Sequence, residues 1–160
     1  IGVIDWLSNA GIINISYALE QASLPLKGNY NPDIYRLYFA DTGLLIGSLD
    51  EEVQSDLRNN SNFNTYKGAI YENIIADIFT KSGKKLYYFE HNSQLEIDFF
   101  IRYENKATAV EVKSAENTKA KSLTSIINNW HVEQGIKLST KNISVKDKII
   151  NYPLYMAIFL

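Results

Sequence analysis

The stretch Leu95-Glu-Ile-Asp-Phe-Phe-Ile-Arg-Tyr-Glu-Asn-Lys-Ala-Thr-Ala-Val-Glu-Val-Lys-Ser114 reads as a β-hairpin, and the rest of the chain is interpreted from it. On the first arm Ile97, Phe99 and Ile101 point one way and Asp98 the other. On the second, Val110 and Val112 alternate with Glu111 and Lys113. If the turn centres on Glu104 and Asn105, Asp98 lies opposite Glu111 and Glu96 opposite Lys113. If it centres on Asn105 and Lys106, Asp98 faces Lys113. In both registers Asp98, Glu111 and Lys113 share one face, because side chains alternate along a strand. A turn one residue longer or shorter breaks this cluster unless a bulge restores it.

Two carboxylates brought together in this way repel. At ~4 Å and an effective dielectric of ~20 the repulsion is roughly 4 kcal/mol, and like charges directly opposite destabilise a sheet. A positive group must sit between them, or one must take up a proton.

Upstream, Ile70, Tyr71, Ile74, Ile75, Ile78 and Phe79 fall on one stripe of a helix predicted over Thr65 to Ser82 and closed by Gly83. Glu72 lies on the flank of that stripe, so its carboxylate borders the buried face. Leu86 to Glu90 is a strand of β-formers, turned into the hairpin by His91-Asn92-Ser93. Downstream, Thr118 is placed to cap a helix with Leu123, Ile126, Ile127 and Trp130 at helical spacing, and Gly135 to Ser139 is a strand. The second hairpin arm, this helix and this strand form a candidate crossover unit. The apolar tail Tyr152 to Leu160 is assigned to the core, as strand or helix.

The N-terminal part begins with the end of a helix, Ile4 to Ala10, capped by Gly11, and a short strand over Ile12 to Tyr17. Gln21 to Pro32 is rich in breakers and marks a border near Asn31. Ile34 to Ala40 is an apolar and aromatic run. Asp41 or Thr42 caps a short helix after it, and Asp50 another over Glu51 to Leu57. Arg58 to Asn64 is a polar connector.

A chain of 160 residues buries one sizeable core, and its 46% hydrophobic and 21% charged residues are those of a globular protein. The absence of cysteine excludes disulfides, thiolate metal sites and a cysteine nucleophile, and suits a cytoplasmic setting. No apolar run spans a bilayer, so no membrane partner is expected. The chain begins inside an amphipathic segment without a signal peptide, as expected for a piece of a longer protein. The net charge of -2 makes no general case for nucleic acid, but Lys106 to Lys148 holds eight lysines against Glu111, Glu116, Glu133 and Asp147.

The chain has no phosphate-binding Gly-x-x-x-x-Gly-Lys-Ser/Thr loop, and only His91 and His131, neither in a triad-like setting. What remains is Asp98, Glu111 and Lys113, with Glu72 close by if its helix packs on the sheet. Oxygen donors of this kind suit Mg²⁺ or Mn²⁺, with the carbonyl of Val112 as an extra ligand and water completing the shell. Lys113 is then positioned to orient a water or stabilise charge on phosphorus. It serves equally as a metal-free salt-bridge partner for the two carboxylates.

Ile97-Asp98, then Glu111-Val112-Lys113 after a hairpin, with the helical Glu72 upstream, resembles the restriction-endonuclease-like PD-(D/E)xK phosphodiesterase superfamily. Ile97 stands where that superfamily has proline. More narrowly, four stretches together resemble the C-terminal domain of unknown function that follows an AAA+-type ATPase core in many prokaryotic ATPases. They are Tyr38 to Leu45, Gly68 to Asn73, Glu96 to Phe99 and Val110 to Ser114. The resemblance implies an α/β fold with a mixed central sheet flanked by helices in three layers, over residues 32–160. Residues 1–31 would be a linker or partial winged-helix-like segment. It also implies Glu72, Asp98, Glu111 and Lys113 at the catalytic positions, an ATPase core as partner before Ile1, and DNA or RNA as ligand. A recognition module without catalysis, using the Lys106 to Lys148 region or the aromatic strand Leu86 to Glu90, is the alternative.

Overall fold

A computed structural model describes residues 2–59, 61, 63–92, 94–114 and 120–160, with the backbone alone at 63–65. The order is α1 (Val3–Asn9), β1 (Ile13–Leu19), a 3₁₀ turn (Leu26–Gly28), β2 (Tyr30–Phe39), α2 (Thr42–Gly47), α3 (Glu51–Arg58) and α4 (Phe63–Lys81). There follow β3 (Leu86–His91), β4 (Leu95–Ile97), β5 (Phe99–Tyr103), β6 (Lys106–Val112), α5 (Lys121–Asn129), β7 (Gln134–Ser139), β8 (Ser144–Lys146), β9 (Ile149–Pro153) and a 3₁₀ turn (Leu154–Phe159). The fold is α/β, as expected, and no helix among the described residues is long and apolar enough to cross a membrane.

The strands form two mixed ladders, β2-β1-β3-β4 and β5-β6-β7-β9-β8, joined through the single residue Asp98. Phe99 pairs with Val110 and Tyr103 with Lys106, so the hairpin turns on Glu104 and Asn105, the first of the two expected registers. Both turn residues have positive φ, 48° and 64°, the backbone that a two-residue turn needs to match the right-handed twist of its strands. The pairing expected between Glu96 and Lys113 does not form. β4 leaves β6 and pairs with β3, which places Glu96 opposite Glu90.

Alternation sorts the apolar side chains between two helices. Phe99, Val110, Ile136 and Leu138 join Ile75, Ala76 and Phe79 of α4, together with Tyr38 and Leu86 of the other ladder. Phe100 and Ala109 join Leu123 and Ile126 of α5, together with Phe89, Leu95 and Ile97. Each helix thus covers residues from both ladders, and α4 and α5 lie on opposite faces, giving three layers. Leu123 and Ile126 are fully buried, in line with the helical spacing read from sequence. The expected cap Thr118 lies outside the described residues. β6 and β7 are parallel with α5 between them, forming the expected crossover.

The border expected near Asn31 falls within the β1–β2 pair, where Ala18 pairs with Asn31, and β1 lies between β2 and β3. Two expectations need correction. The apolar tail joins the core through Ala157, with Tyr152, Leu154 and Leu160 packed against it, but Tyr155 (71%), Ile158 (56%) and Phe159 (71%) are exposed, because a helix of three residues per turn presents only one of its sides to the sheet. Tyr87, Tyr88 and Phe89 are buried on the central strand β3, so the aromatic strand is no docking surface.

Candidate functional site

The site begins with a break in a ladder. The amide of Lys113 donates to the carbonyl of Leu138 at 2.8 Å, toward β7, so the amide of Val112 points the other way, to the side of β6 that β4 has left. Asp98 Oδ2 accepts from that amide at 2.7 Å and replaces the missing backbone partner. A carboxylate at this position therefore has a structural task before any chemical one.

Glu111, on the same strand as Val112, is only 3% exposed. Its Oε1 is 2.7 Å from Lys113 Nζ, and its Oε2 is buried without a hydrogen-bond partner. The positive partner that the paired carboxylates required is thus Lys113. Burial, which lowers the pKa of the Lys113 ammonium, is outweighed by its bond to Glu111 and by the charges of Asp98 and Glu72, so the net shift is upward. The second expected route, protonation, operates on Asp98. Burial, then the charge of Glu72, then that of Glu111 push its carboxyl up to about 7, against the opposing pull of the Val112 amide and of Lys113.

Glu72 comes from α4, which Asn73 pins to β2. The Asn73 side chain accepts from the Phe39 amide at 2.8 Å and donates to the Phe39 carbonyl at 3.1 Å, satisfying both backbone groups at the end of that strand. The start of α4 also approaches the end of β6, since a Cβ on Gly68 would lie 3.9 Å from Ser114 Oγ. Glu72 is half-buried. Its pKa is raised by burial and by the charge of Glu96, and Arg36 and Lys113 oppose this. The four residues expected at the site, Glu72, Asp98, Glu111 and Lys113, therefore form one electrostatic group.

Two members of the group were not foreseen. Arg36 on β2 bridges Glu90 at 2.9 Å and Glu96 at 2.7 Å and lies over the Tyr88 ring, 4.0 Å from its centroid. Tyr38, two residues on and so on the same face, has its phenol pKa raised by burial and then by Glu72 and Asp98. Arg36 is the lone cation in the aromatic run Ile34 to Ala40, and that was the available signal. Asp41, by contrast, accepts from the Leu44 amide at 3.1 Å and is the helix cap it was expected to be.

Mg²⁺ is commonly held through one or two carboxylates and keeps several waters. Asp98 and Glu111, with the orphaned Glu111 Oε2, fit that demand. Among the described residues no group of three or more His, Asp or Glu is placed to hold an ion. Asp98, Glu111 and the Val112 carbonyl would hold such an ion together with water, in competition with Lys113.

A family model described as "Domain of unknown function (DUF4143)" matches residues 67–156, more than half of the chain. Glu72, Asp98, Glu111 and Lys113 all lie within the match, while Tyr38 to Leu45 precedes it. Neither the curated proteins nor the solved structures contain a match to this chain. On the family match, the chain belongs to the family of domains of unknown function DUF4143.

Proposed function

We propose that this chain is a nuclease-like domain of the PD-(D/E)xK kind, hydrolysing phosphodiesters of DNA or RNA with Mg²⁺ or Mn²⁺, in the cytoplasm and attached to an AAA+-type ATPase core. The observation that carries the reading is the buried, unpartnered Oε2 of Glu111 on the strand that Asp98 adjoins, with Lys113 beside it. A charge so buried demands compensation beyond one ammonium. A bound divalent ion would lower the pKa of a coordinated water and polarise the phosphodiester. Asp98 and Glu111 would hold the ion. Lys113, released from Glu111 in part, would donate to the attacking water or to a phosphate oxygen. Glu72 would tune the charge of the site. Lys121, Lys137 and Lys146, which line a groove of about 720 Å³, offer phosphate contacts outside the site.

The test is a cleavage assay on single- and double-stranded DNA and RNA with Mn²⁺ or Mg²⁺, with Glu111→Ala as control. Metal-dependent cleavage abolished in the control supports the proposal. Absence of cleavage together with absence of any metal-induced rise in Tm at millimolar ion overturns it.

The Lys113–Glu111 ion pair favours a second reading, a nuclease fold without catalysis that recognises protein or nucleic acid for the attached ATPase. On that reading Lys113→Ala leaves the activity of the full-length protein intact.

A further inference from the structure

Lys27, Lys84, Lys85 and Arg102 surround a cavity of about 530 Å³ whose floor includes Tyr87 and Ile101. The floor residues are 5% and 2% exposed, and no acidic residue lines the cavity. Arg102 donates to Asn105 Oδ1 at 2.9 Å and Lys84 to Ser82 Oγ at 3.5 Å, but among the described residues none of the four cations is in an ion pair. In a chain of net charge -2 this is a concentration of unneutralised charge over an apolar base. Exposed like charges gathered without counter-ions raise the local positive potential, and that potential attracts an anion.

The cavity is separate from the carboxylate group. β5 runs from beside Asp98 to Tyr103, so Arg102 lies four residues, about 13 Å, along an extended strand from Asp98. Lys84 and Lys85 precede β3 at the end opposite Glu90.

We propose that this pocket binds a nucleoside polyphosphate, its phosphates among Lys27, Lys84, Lys85 and Arg102 and its base against the floor of Tyr87 and Ile101. The volume is within the usual range for small-molecule sites, ~300–1,000 Å³. Four cations match the charge of a triphosphate, and the apolar floor offers a planar body what a bare phosphate chain has no use for. The inference stands apart from the nuclease reading.

The test is calorimetric titration of the full chain in EDTA, which silences any divalent-ion site, with adenosine triphosphate, inorganic triphosphate, adenosine and a 20-nucleotide single strand of DNA as separate probes. The nucleotide is expected to bind with micromolar Kd, at least about tenfold tighter than inorganic triphosphate. Lys85→Glu and Arg102→Glu, exposed and on different segments, are each expected to weaken it about tenfold or more, while Lys146→Glu in the other lysine groove leaves it unchanged. No heat at millimolar nucleotide, equal affinity for inorganic triphosphate, an equal loss in Lys146→Glu, or binding confined to a 20-nucleotide single strand would each overturn the proposal.

Discussion

At one end of β3 and β5 lie Glu72, Glu90, Glu96, Asp98 and Glu111 with Arg36 and Lys113 among them; at the other lie Lys27, Lys84, Lys85 and Arg102 with no acid lining their cavity. The acidic end is neutralised from within. Arg36 takes two carboxylates, Lys113 takes one, and Asp98 retains its proton toward neutral pH. The basic end is left open to solvent. Where charge is buried among strands, the fold must balance it internally; where it stands on an exposed rim, water and ligands do so instead. The acidic end should therefore be coupled to folding stability and the basic end should not.

The largest effect is expected from Asn73→Ala, which leaves the amide and carbonyl of Phe39 unpaired where α4 meets β2 and loosens the hold on Glu72. A loss of about 2–4 kcal/mol in denaturant unfolding is expected, and a loss below ~1 kcal/mol would mean that α4 is held by apolar packing alone. Next is the pH dependence. An aspartate of ordinary pKa 3.8 is held up to about 7 in the fold, so the native state binds more protons than the unfolded chain between those values. Stability falls as pH rises through that window. Asp98→Asn keeps an acceptor for the Val112 amide and removes the titration. It is expected to unfold like the parent near pH 4 and to exceed it by about 1–3 kcal/mol above pH 7, allowing for solvent screening. An unchanged pH profile would break the account of the acidic end.

Arg36→Met keeps the stem over Tyr88 and frees Glu90 and Glu96, whose side chains are 46% and 58% exposed, so a cost of about 1 kcal/mol is expected. A raised ionic strength should shrink the difference between the two proteins. The smallest effect belongs to the basic end. Lys85→Glu is expected to change Tm by less than about 2 °C, since Lys85 is exposed and has no ion pair among the described residues to lose. A larger fall would show that the two ends do not differ in the way described.

Much of the acidic end was legible before any coordinates, because its contacts are local. Asp98, Glu111 and Lys113 are joined by one short hairpin with a two-residue turn on Glu104 and Asn105, which brings them close together. The expected alternation nevertheless breaks at Asp98, where Ile97 packs toward α5 and Phe99 and Ile101 toward α4. The stripe on α4 placed Glu72 at the border of the core for the same reason of periodicity. The exchange of partners at Asp98 was not legible. A straight first arm pairs Glu96 with Lys113, whereas Leu95 to Ile97 close a second hairpin on Phe89 to His91, and the Asp98 carboxylate takes the Val112 amide that this leaves.

Alternation, turn chemistry and helical spacing along this sequence determined the hairpin, the two registers open to it and the candidate acids, since each depends on short-range patterns of residues; the structure chose the register. Only the tertiary structure decided that Arg36 reaches the acids of β3 and β4, that Glu111 keeps one oxygen without a partner, and that four cations from three distant segments meet over an apolar floor. These are meetings across 17 to 75 residues of chain, set by how α4 and α5 press the two ladders together, and no local pattern carries that information.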